Sequence, residues 1–586
     1  MFLPTLPILL IASTAVLSAQ SPTACAELTK VAGAKFPNAT TIIASATLNP
    51  ASAAKPGNPA AGPAGAPVPA LPEHCEVFGR INDREGMNGQ HYAIKFHMRL
   101  PVQWNGKFFF EGGGGSNGNI GTAYGNLQGQ QPTVAVALGY AVVSQDSGHD
   151  NAVNNDPLRN GTSTHGFDPQ ARLDHGYNSY DQVTQMAKAL IKIHYGRAPE
   201  RSYFVGSSEG GREAMMMSQR FPDYFDGILA NAPGFQLPKS ALFNETFTVQ
   251  TLGALARSLG IFDKDGNPFI NKTFSDEDLT LVSNAVLGAC DALDGATDGM
   301  VQDFAACTTE LVQKKLAEVT CPAAKRVTCL LPGQVAAMVK LYGGPKTSKG
   351  EALYSDWAWD RGMGGLVGGS APADAYNQGW RVWKLGPYDG TVNNSITAGL
   401  GTLSVGSTFS TPPKEIPLAN GAPLKNMLAI DLDTAAALLT NETPQYPRSV
   451  QSYFIANSTD LSGFKKHNGK LLIVHGVSDP IFSINDTLRW YRDLDKVEGG
   501  KASQFVRAFA VPGMNHTTGG PSTDRYDAFG ALVAWTEKNQ APEQILAAAG
   551  PATPWPGRTR PLCLYPKVAR YNGSSSLEDA KNFSCR

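Results

Sequence analysis

Short apolar runs and amphipathic stretches alternate in two separated parts of the chain. In the first part, KFFFEGGGG (107–115), YAVVS (140–144) and SYFVG (202–206) read as buried strands, each a brief apolar run bounded by glycine or turn residues. Residues 177–195 carry apolar side chains at helical spacing, and a further helix is predicted from Gly211 to about Phe221. In the second part, KLLIVHG (470–476) and FVRAFAVPG (505–513) repeat the strand pattern, and AFGALVAWTEKN (528–539) repeats the helical one. Strands that alternate with helices predict a parallel sheet covered on both faces. Between about Phe235 and Tyr453 the rhythm gives way to irregular, Gly-, Trp- and Thr-rich sequence. The pattern predicts an α/β domain in two pieces, 20–234 and 454–586, interrupted by a second domain over 235–453.

The amino terminus departs from this pattern. MFLPTLPILLIASTAVLSA (1–19) is an apolar run with small residues near Ala19, the form of a secretory signal peptide. It is broken by proline and too short for a membrane span of about 20 residues. Eight cysteines agree with an oxidising compartment, and their spacing favours the pairs Cys25–Cys75, Cys290–Cys307, Cys321–Cys329 and Cys563–Cys585. Asn-x-Ser/Thr sequons at Asn38, Asn160, Asn244, Asn271, Asn393, Asn441, Asn457, Asn485, Asn515, Asn572 and Asn582 point to a glycosylated, eukaryotic secreted protein. ASAAKPGNPAAGPAGAPVPALP (51–72) reads as an extended surface loop tied down by the first disulfide. The charge balance, 49 Lys+Arg against 50 Asp+Glu in 586 residues, leaves no basic field for nucleic acid or anionic lipid. These features together predict a secreted monomer, extracellular or periplasmic, that binds no membrane.

The chemistry sits at the ends of the strands. Gly206-Ser207-Ser208-Glu209-Gly210 lies between a strand and a helix, the setting of a G-x-S-x-G nucleophile elbow, and makes Ser208 the candidate nucleophile. A serine hydroxyl needs a base and the base an orienting carboxylate, in the chain order Ser, Asp, His for an α/β-hydrolase. Asp479, in HGVSDP, and His516, in PGMNHTTGG, supply them in that order, each in a loop after a strand. His149, His165 and His475 are poorer bases by position. Gly112–Gly115 follows the strand KFFFE and can turn backbone N–H groups toward a developing alkoxide, with the N–H of Glu209 as a second donor. CDALDGATDGM (290–300) is a different kind of cluster. Asp291, Asp294 and Asp298, with the carbonyls of Ala296 and Met300, can wrap a structural Ca²⁺, the alternative being a solvated acidic turn.

The segments LPEHCEV (71–77), WNGKFFFEGG (104–113), GHDNAVN (148–154), DPQARLDHGYNSYDQVTQ (168–185), SEGGRE (208–213), INKTFSD (270–276), CDALDGATDG (290–299), YNQGWR (376–381), VPGMNH (511–516) and RTRPLC (558–563) resemble the tannase/feruloyl esterase family over nearly the whole mature chain. The resemblance implies an α/β-hydrolase fold with a large inserted lid domain and a Ser208, Asp479 and His516 triad. It further implies an oxyanion hole from the N–H groups of Gly115 and Glu209, and calcium at Asp291, Asp294, Ala296, Asp298 and Met300. Leu237, Trp383 and Phe482 are implied around a substrate's aromatic ring.

Two departures from the family pattern modify these expectations. The family's paired cysteines beside the nucleophile and the catalytic histidine are replaced by Ser207 and Thr517, so packing and a Ser207–Thr517 hydrogen bond are expected to hold the two loops. Where family members that cleave terephthalate monoesters present an arginine to the free carboxylate, the chain reads NNSITAGLGTLSVGS (393–407), with Thr397 near that position and Lys384 as the candidate point charge. The expected activity is hydrolysis of aromatic-acid esters, small molecules with a terephthalate monoester first and natural phenolic esters as the alternative. A catalytically silent binding protein on the same fold is the alternative of another class.

Overall fold

The computed structural model describes residues 23–57, 67–364, 379–386, 395–573 and 575–586. The signal-peptide expectation (1–19) and the sequon at Asn393 lie outside the described residues. Nine strands form one sheet in the order β1-β2-β3-β5-β4-β6-β7-β8-β9. They span Ile42–Asn49 (β1), His74–Glu85 (β2), His91–Pro101 (β3), Lys107–Glu111 (β4), Ala141–Gln145 (β5), Arg201–Ser207 (β6), Gly227–Asn231 (β7), Lys470–Gly476 (β8) and Val506–Val511 (β9). The strands from β5 through β4 to β9 run parallel, as the apolar runs predict. β1, β2, β3 and β5 pair antiparallel, so the sheet is mixed and not wholly parallel. β1 buries only Ile43 along its length and shows no apolar run in the sequence, as befits an edge strand.

Side-chain alternation divides the core between the two faces. Phe108 and Phe110 of β4 point into one cluster with Val183, Met186 and Leu190 of the helix Ser179–Tyr195, Met215 of the helix Glu209–Arg220 and Leu488 of the helix Ile484–Val497. Phe109 points the other way, against Phe529 and Leu532 of the helix Ala528–Lys538. All seven residues of β8 are buried, the signature of a parallel strand covered on both faces.

Between β7 and β8 the chain leaves the sheet for residues 232–469. The helices Thr246–Ser258, Asp276–Cys290, Pro332–Tyr342 and Ile396–Gly406 lie in this stretch. The second begins at a capping box, in which Ser275 Oγ accepts from the Asp278 N–H (3.2 Å) and Asp278 Oδ2 accepts from the Ser275 N–H (3.0 Å). Leu252, Val286 and Trp359 of the insertion pack in the same cluster as Ile228 of β7, so the insertion shares the core of the sheet.

The four disulfides pair as the spacing favours: Cys25–Cys75, Cys290–Cys307, Cys321–Cys329 and Cys563–Cys585. The described ends of the Ala/Pro/Gly-rich segment bridge each other at Ser52 with Leu71 and Lys55 with Val68. Among the described residues no helix is long and apolar enough to cross a membrane. The glycosylation expectation needs correction at five sequons. Asn160, Asn244, Asn271, Asn515 and Asn582 are buried and cannot carry a glycan in the folded chain, whereas Asn441, Asn457 and Asn572 are exposed.

Candidate active site

The end of β6 turns sharply into the helix Glu209–Arg220, and Ser208 sits at the apex with φ of 62° and ψ of −119°. A non-glycine residue at positive φ is strained, and here the strain lifts the hydroxyl out of the sheet. Space around the turn explains its glycines. A Cβ at Gly206 would lie 2.2 Å from the Gly210 carbonyl oxygen, and one at Gly210 would lie 2.6 Å from that of Gly113.

His516 Nε2 lies 2.8 Å from Ser208 Oγ, and His516 Nδ1 lies 2.8 Å from Asp479 Oδ2. The other Asp479 oxygen accepts from the N–H groups of Ile481 (2.8 Å) and Phe482 (3.1 Å). Burial opposes ionisation of Asp479, but the charge of His516 and hydrogen bonds from His475 and His516 outweigh it and hold the carboxyl well below its usual range. His475 stands behind this carboxylate, with Nε2 3.3 Å from Asp479 Oδ2 and Nδ1 2.9 Å from Thr487 Oγ1. Asp360, from the insertion, ties the two loops together: its Oδ2 accepts from Ser478 Oγ (2.8 Å) and from the Gly513 N–H (2.6 Å). A hydroxyl, an imidazole and a carboxylate in this order can carry acyl transfer.

The glycine loop is fixed by a residue that sequence reasoning did not single out. Glu213 accepts from the Gly113 N–H (2.9 Å) through Oε2 and from Asn117 Nδ2 (2.6 Å) through Oε1. Asn117 Oδ1 in turn accepts from the Gly114 N–H (2.8 Å), and the Val205 carbonyl takes the Gly112 N–H (2.9 Å). That leaves the N–H of Gly115, at φ of 62°, and the N–H of Glu209, at the first turn of its helix, with no hydrogen-bond partner among the described residues. Both residues line the cavity beside Ser208. The Glu209 side chain turns away into the core, where Arg212 Nε donates to its Oε1 (2.7 Å). The signal for Arg212 and Glu213 was available: two adjacent charged residues between the glycines Gly210 and Gly211 and the apolar run Ala214–Met217 of a helix buried as far as Ser218.

His149 and His165 take no part in the triad. They stack with ring centroids 3.7 Å apart and pack against His175, all buried behind Glu209. Burial pulls the protonation of all three down, that of His149 to about 3, with the neighbouring histidines adding to it at His149 and His165 and Arg212 adding to it at His175.

The cavity over Ser208 has a volume of 440 Å³, and Leu237, Trp383 and Phe482 all line it. Trp383 and Phe482 present edges to the His516 ring at centroid distances of 5.4 and 5.6 Å. Two expectations fail here. No hydrogen bond joins Ser207 to Thr517, whose φ is 65°. The loops are instead linked from below by Asn231, whose carbonyl accepts from the Ser208 N–H (3.0 Å) and whose Nδ2 donates to the Thr517 carbonyl (3.4 Å). Lys384 does not reach the cavity. It is buried behind Glu245, with Nζ 3.5 Å from Glu245 Oε1 and 4.5 Å from the centre of the Trp357 ring, and it is Glu245 that lines the cavity wall.

The acidic loop 290–300 lies in the insertion. Asp291 Oδ1 accepts from the N–H groups of Asp298 (3.1 Å) and Gly299 (3.0 Å), and Asp294 Oδ1 accepts from that of Ala296 (2.8 Å). Asp294 Oδ2 is buried with no hydrogen-bond partner among the described residues. Burial, together with Asp298 and Asp291, pushes the Asp294 carboxyl up to about 7. Asp298 Oδ2 pairs with the buried Arg560.

Residues 75–586 match the family model described as tannase and feruloyl esterase. A mono(2-hydroxyethyl) terephthalate hydrolase from Piscinibacter sakaiensis is 45% identical over 94% of this chain and 89% of that relative. A probable feruloyl esterase B-1 from Neosartorya fischeri is 26% identical, over 83% and 82%. Among solved structures, feruloyl esterase B from Aspergillus oryzae superposes with a TM-score of 0.72 at 22% identity, covering 96% of this chain and 100% of that one. At these identities the structural likeness establishes the α/β-hydrolase fold alone. The family match over most of the chain establishes more: this carboxylic ester hydrolase belongs to the tannase and feruloyl esterase family.

Proposed function

We propose that the protein is a secreted serine carboxylesterase that hydrolyses esters of aromatic acids by acyl transfer. The observation that carries this reading is the Ser208, His516 and Asp479 chain opening into a cavity walled by Leu237, Trp383 and Phe482. Ser208 Oγ attacks the ester carbonyl while His516 Nε2 takes its proton, and Asp479 fixes the imidazole tautomer and steadies the imidazolium. The N–H groups of Gly115 and Glu209 receive the oxyanion. His516 then returns the proton to the departing alcohol, and a water activated by the same nitrogen releases the acid. Four disulfides support a secreted protein, which we read as a monomer.

Two substrate groups fit. Likeness to the Piscinibacter hydrolase supports mono(2-hydroxyethyl) terephthalate. The absence of a lysine or arginine from the described cavity wall favours phenolic acid esters. Hydrolysis of mono(2-hydroxyethyl) terephthalate, methyl ferulate, methyl gallate and methyl hexanoate tests the reading. At least one aromatic ester is expected to exceed the aliphatic ester by about 100-fold in kcat/KM, about 3 kcal/mol of differential transition-state binding. Equal rates on methyl hexanoate would overturn it, and an untouched terephthalate ester beside cleaved phenolic esters would remove the first substrate group.

We also propose that the loop 290–300 holds a structural Ca²⁺ through the carboxylates of Asp291, Asp294 and Asp298 and the carbonyls of Ala296 and Met300. The orphaned Asp294 Oδ2 and the close-set carboxylates support this, since a divalent cation would relieve both. Bound there, the ion cross-links the insertion and takes no part in ester chemistry. Chelation with EGTA is expected to lower Tm by a few degrees, restored by Ca²⁺ and not by Mg²⁺. A Tm indifferent to both treatments would argue for a solvated acidic turn.

A further inference from the structure

We propose that Glu245 is a specificity-determining residue, whose carboxylate selects aromatic acyl groups ending in a hydrogen-bond donor, such as a phenolic hydroxyl, over those ending in a carboxylate. The inference rests on the aromatic-acid ester reading of the site and adds to it the chemistry of the far end of the substrate.

The geometry begins at the nucleophile. The Gly234 N–H donates to the Ser208 carbonyl (3.1 Å) and the Leu237 N–H to that of Gly234 (2.8 Å), so the helical run from Leu237 to Glu245 starts beside the elbow. Eight residues at about 1.5 Å or less per residue carry it roughly 10 Å from that start. Leu237, Ala241 and Glu245 all face the cavity. Opposite them Gly401 has no side chain, and a Cβ there would come within 3.9 Å of the Ala241 Cβ and the Glu245 Cγ. The missing side chain leaves the Glu245 end of the cavity open to a guest.

Charge decides what that guest can be. Glu245 is 3% exposed, and its Oε1 is satisfied by Asn244 Nδ2 (2.7 Å) and faces Lys384 Nζ at 3.5 Å. Lys384 lies on the far side of this carboxylate, over the Trp357 and Trp380 rings at 4.5 and 5.3 Å, and is absent from the cavity wall. No donor among the described residues bonds Glu245 Oε2. The sequence from Leu385 to Pro413 contains no lysine, arginine or histidine, so that stretch can offer no compensating cation. A terephthalate monoester would bring its carboxylate against another in a desolvated pocket, a repulsive element that sets specificity. A phenolic hydroxyl would instead donate a charge-assisted hydrogen bond to Oε2.

The test uses three methyl esters with the same leaving group: methyl 4-hydroxybenzoate, monomethyl terephthalate and methyl benzoate, the last as the neutral reference. For the full chain, kcat/KM on the hydroxybenzoate is expected to exceed that on the terephthalate by at least about 30-fold, with methyl benzoate falling between them. Glu245→Gln should narrow this ratio by about tenfold. Glu245→Ala combined with Lys384→Met removes the whole pair, strands no buried lysine, and should narrow the ratio similarly. A ratio that moves less than about threefold in both variants, with methyl benzoate still cleaved, overturns the role of Glu245 alone. A wild-type chain that cleaves methyl ferulate or methyl gallate but none of these three esters overturns this inference alone, and one that cleaves no aromatic ester of either panel overturns the aromatic-acid ester reading and this inference with it.

Discussion

Ser208→Ala is expected to lower kcat by about 10⁵- to 10⁶-fold on any ester the protein cleaves, with little change in KM or Tm. The size follows from the arrangement. His516 Nε2 has one partner in reach at 2.8 Å, the Ser208 hydroxyl, so removing that oxygen leaves a base with nothing to activate. What survives is binding in the cavity and the two N–H groups of Gly115 and Glu209, which together can still favour slow attack by water. Because the three groups act as one unit, His516→Ala should cost about as much as Ser208→Ala, and the double variant no more than either. Asp479→Asn should be milder, about 10⁴-fold, since its loss disturbs the imidazole tautomer but leaves hydroxyl and imidazole in contact. Alanine at 208 inherits the same positive φ, so its stability should match that of the serine protein. Steady-state and single-turnover kinetics of the four variants check this. Multiplicative losses in the double variant, or Ser208→Ala retaining more than about 1% of activity, would place the chemistry elsewhere.

The triad was legible because each of its members follows a strand whose apolar run marks it. β6, β8 and β9 are buried along most of their length, so each shows a continuous apolar run, at 203–206, 471–474 and 508–511, whose end marks the loop that follows. β1 to β3 were not legible. They pair antiparallel at the side of the sheet, and β1 is exposed along most of its length, a pattern that sequence shares with ordinary loops. The same limit applies to charge. Lys384 and Glu245 are both single charged residues in irregular or weakly periodic sequence, and only the fold decides which of them faces the cavity and which is enclosed by Trp357 and Trp380. Ser207 and Thr517 show the converse. Their residue types suggested a direct hydrogen bond, but a third residue, Asn231 at the end of β7, takes up the link, because its strand lies beside both loops.

The largest effect on stability is expected at Arg212. Its guanidinium is fully buried, donates to Glu209 Oε1 (2.7 Å), the carbonyls of Gly176 (2.7 Å) and His175 (3.1 Å) and the Tyr180 hydroxyl (2.8 Å), and lies 4.1 Å from the centre of the Phe454 ring. Phe454 belongs to the segment returning from the insertion, so one side chain joins the elbow helix, the turn before the helix Ser179–Tyr195 and the end of the insertion. Arg212→Met keeps much of the volume but strands the Glu209 carboxylate in the core, which should cost about 3–5 kcal/mol. A pH dependence follows with a definite sign. Burial already pushes the Glu209 carboxyl up to about 7 against the pull of Arg212. Without Arg212 it rises further above its unfolded value near 4.3, and the folded state then binds more protons than the unfolded one. Below about pH 7 the folded wild type carries the same extra proton, so the variant should lose stability relative to wild type as pH rises through and above about 7. Adding Glu209→Gln removes the stranded charge and should recover part of the loss and flatten the pH dependence, while keeping the backbone N–H that faces Ser208. Denaturation midpoints of the wild type, Arg212→Met and the double variant at pH 5 and pH 8 measure each term. A single variant as stable as wild type, or a double variant no better than the single at pH 8, would mean that the buried pair does not hold the elbow in place.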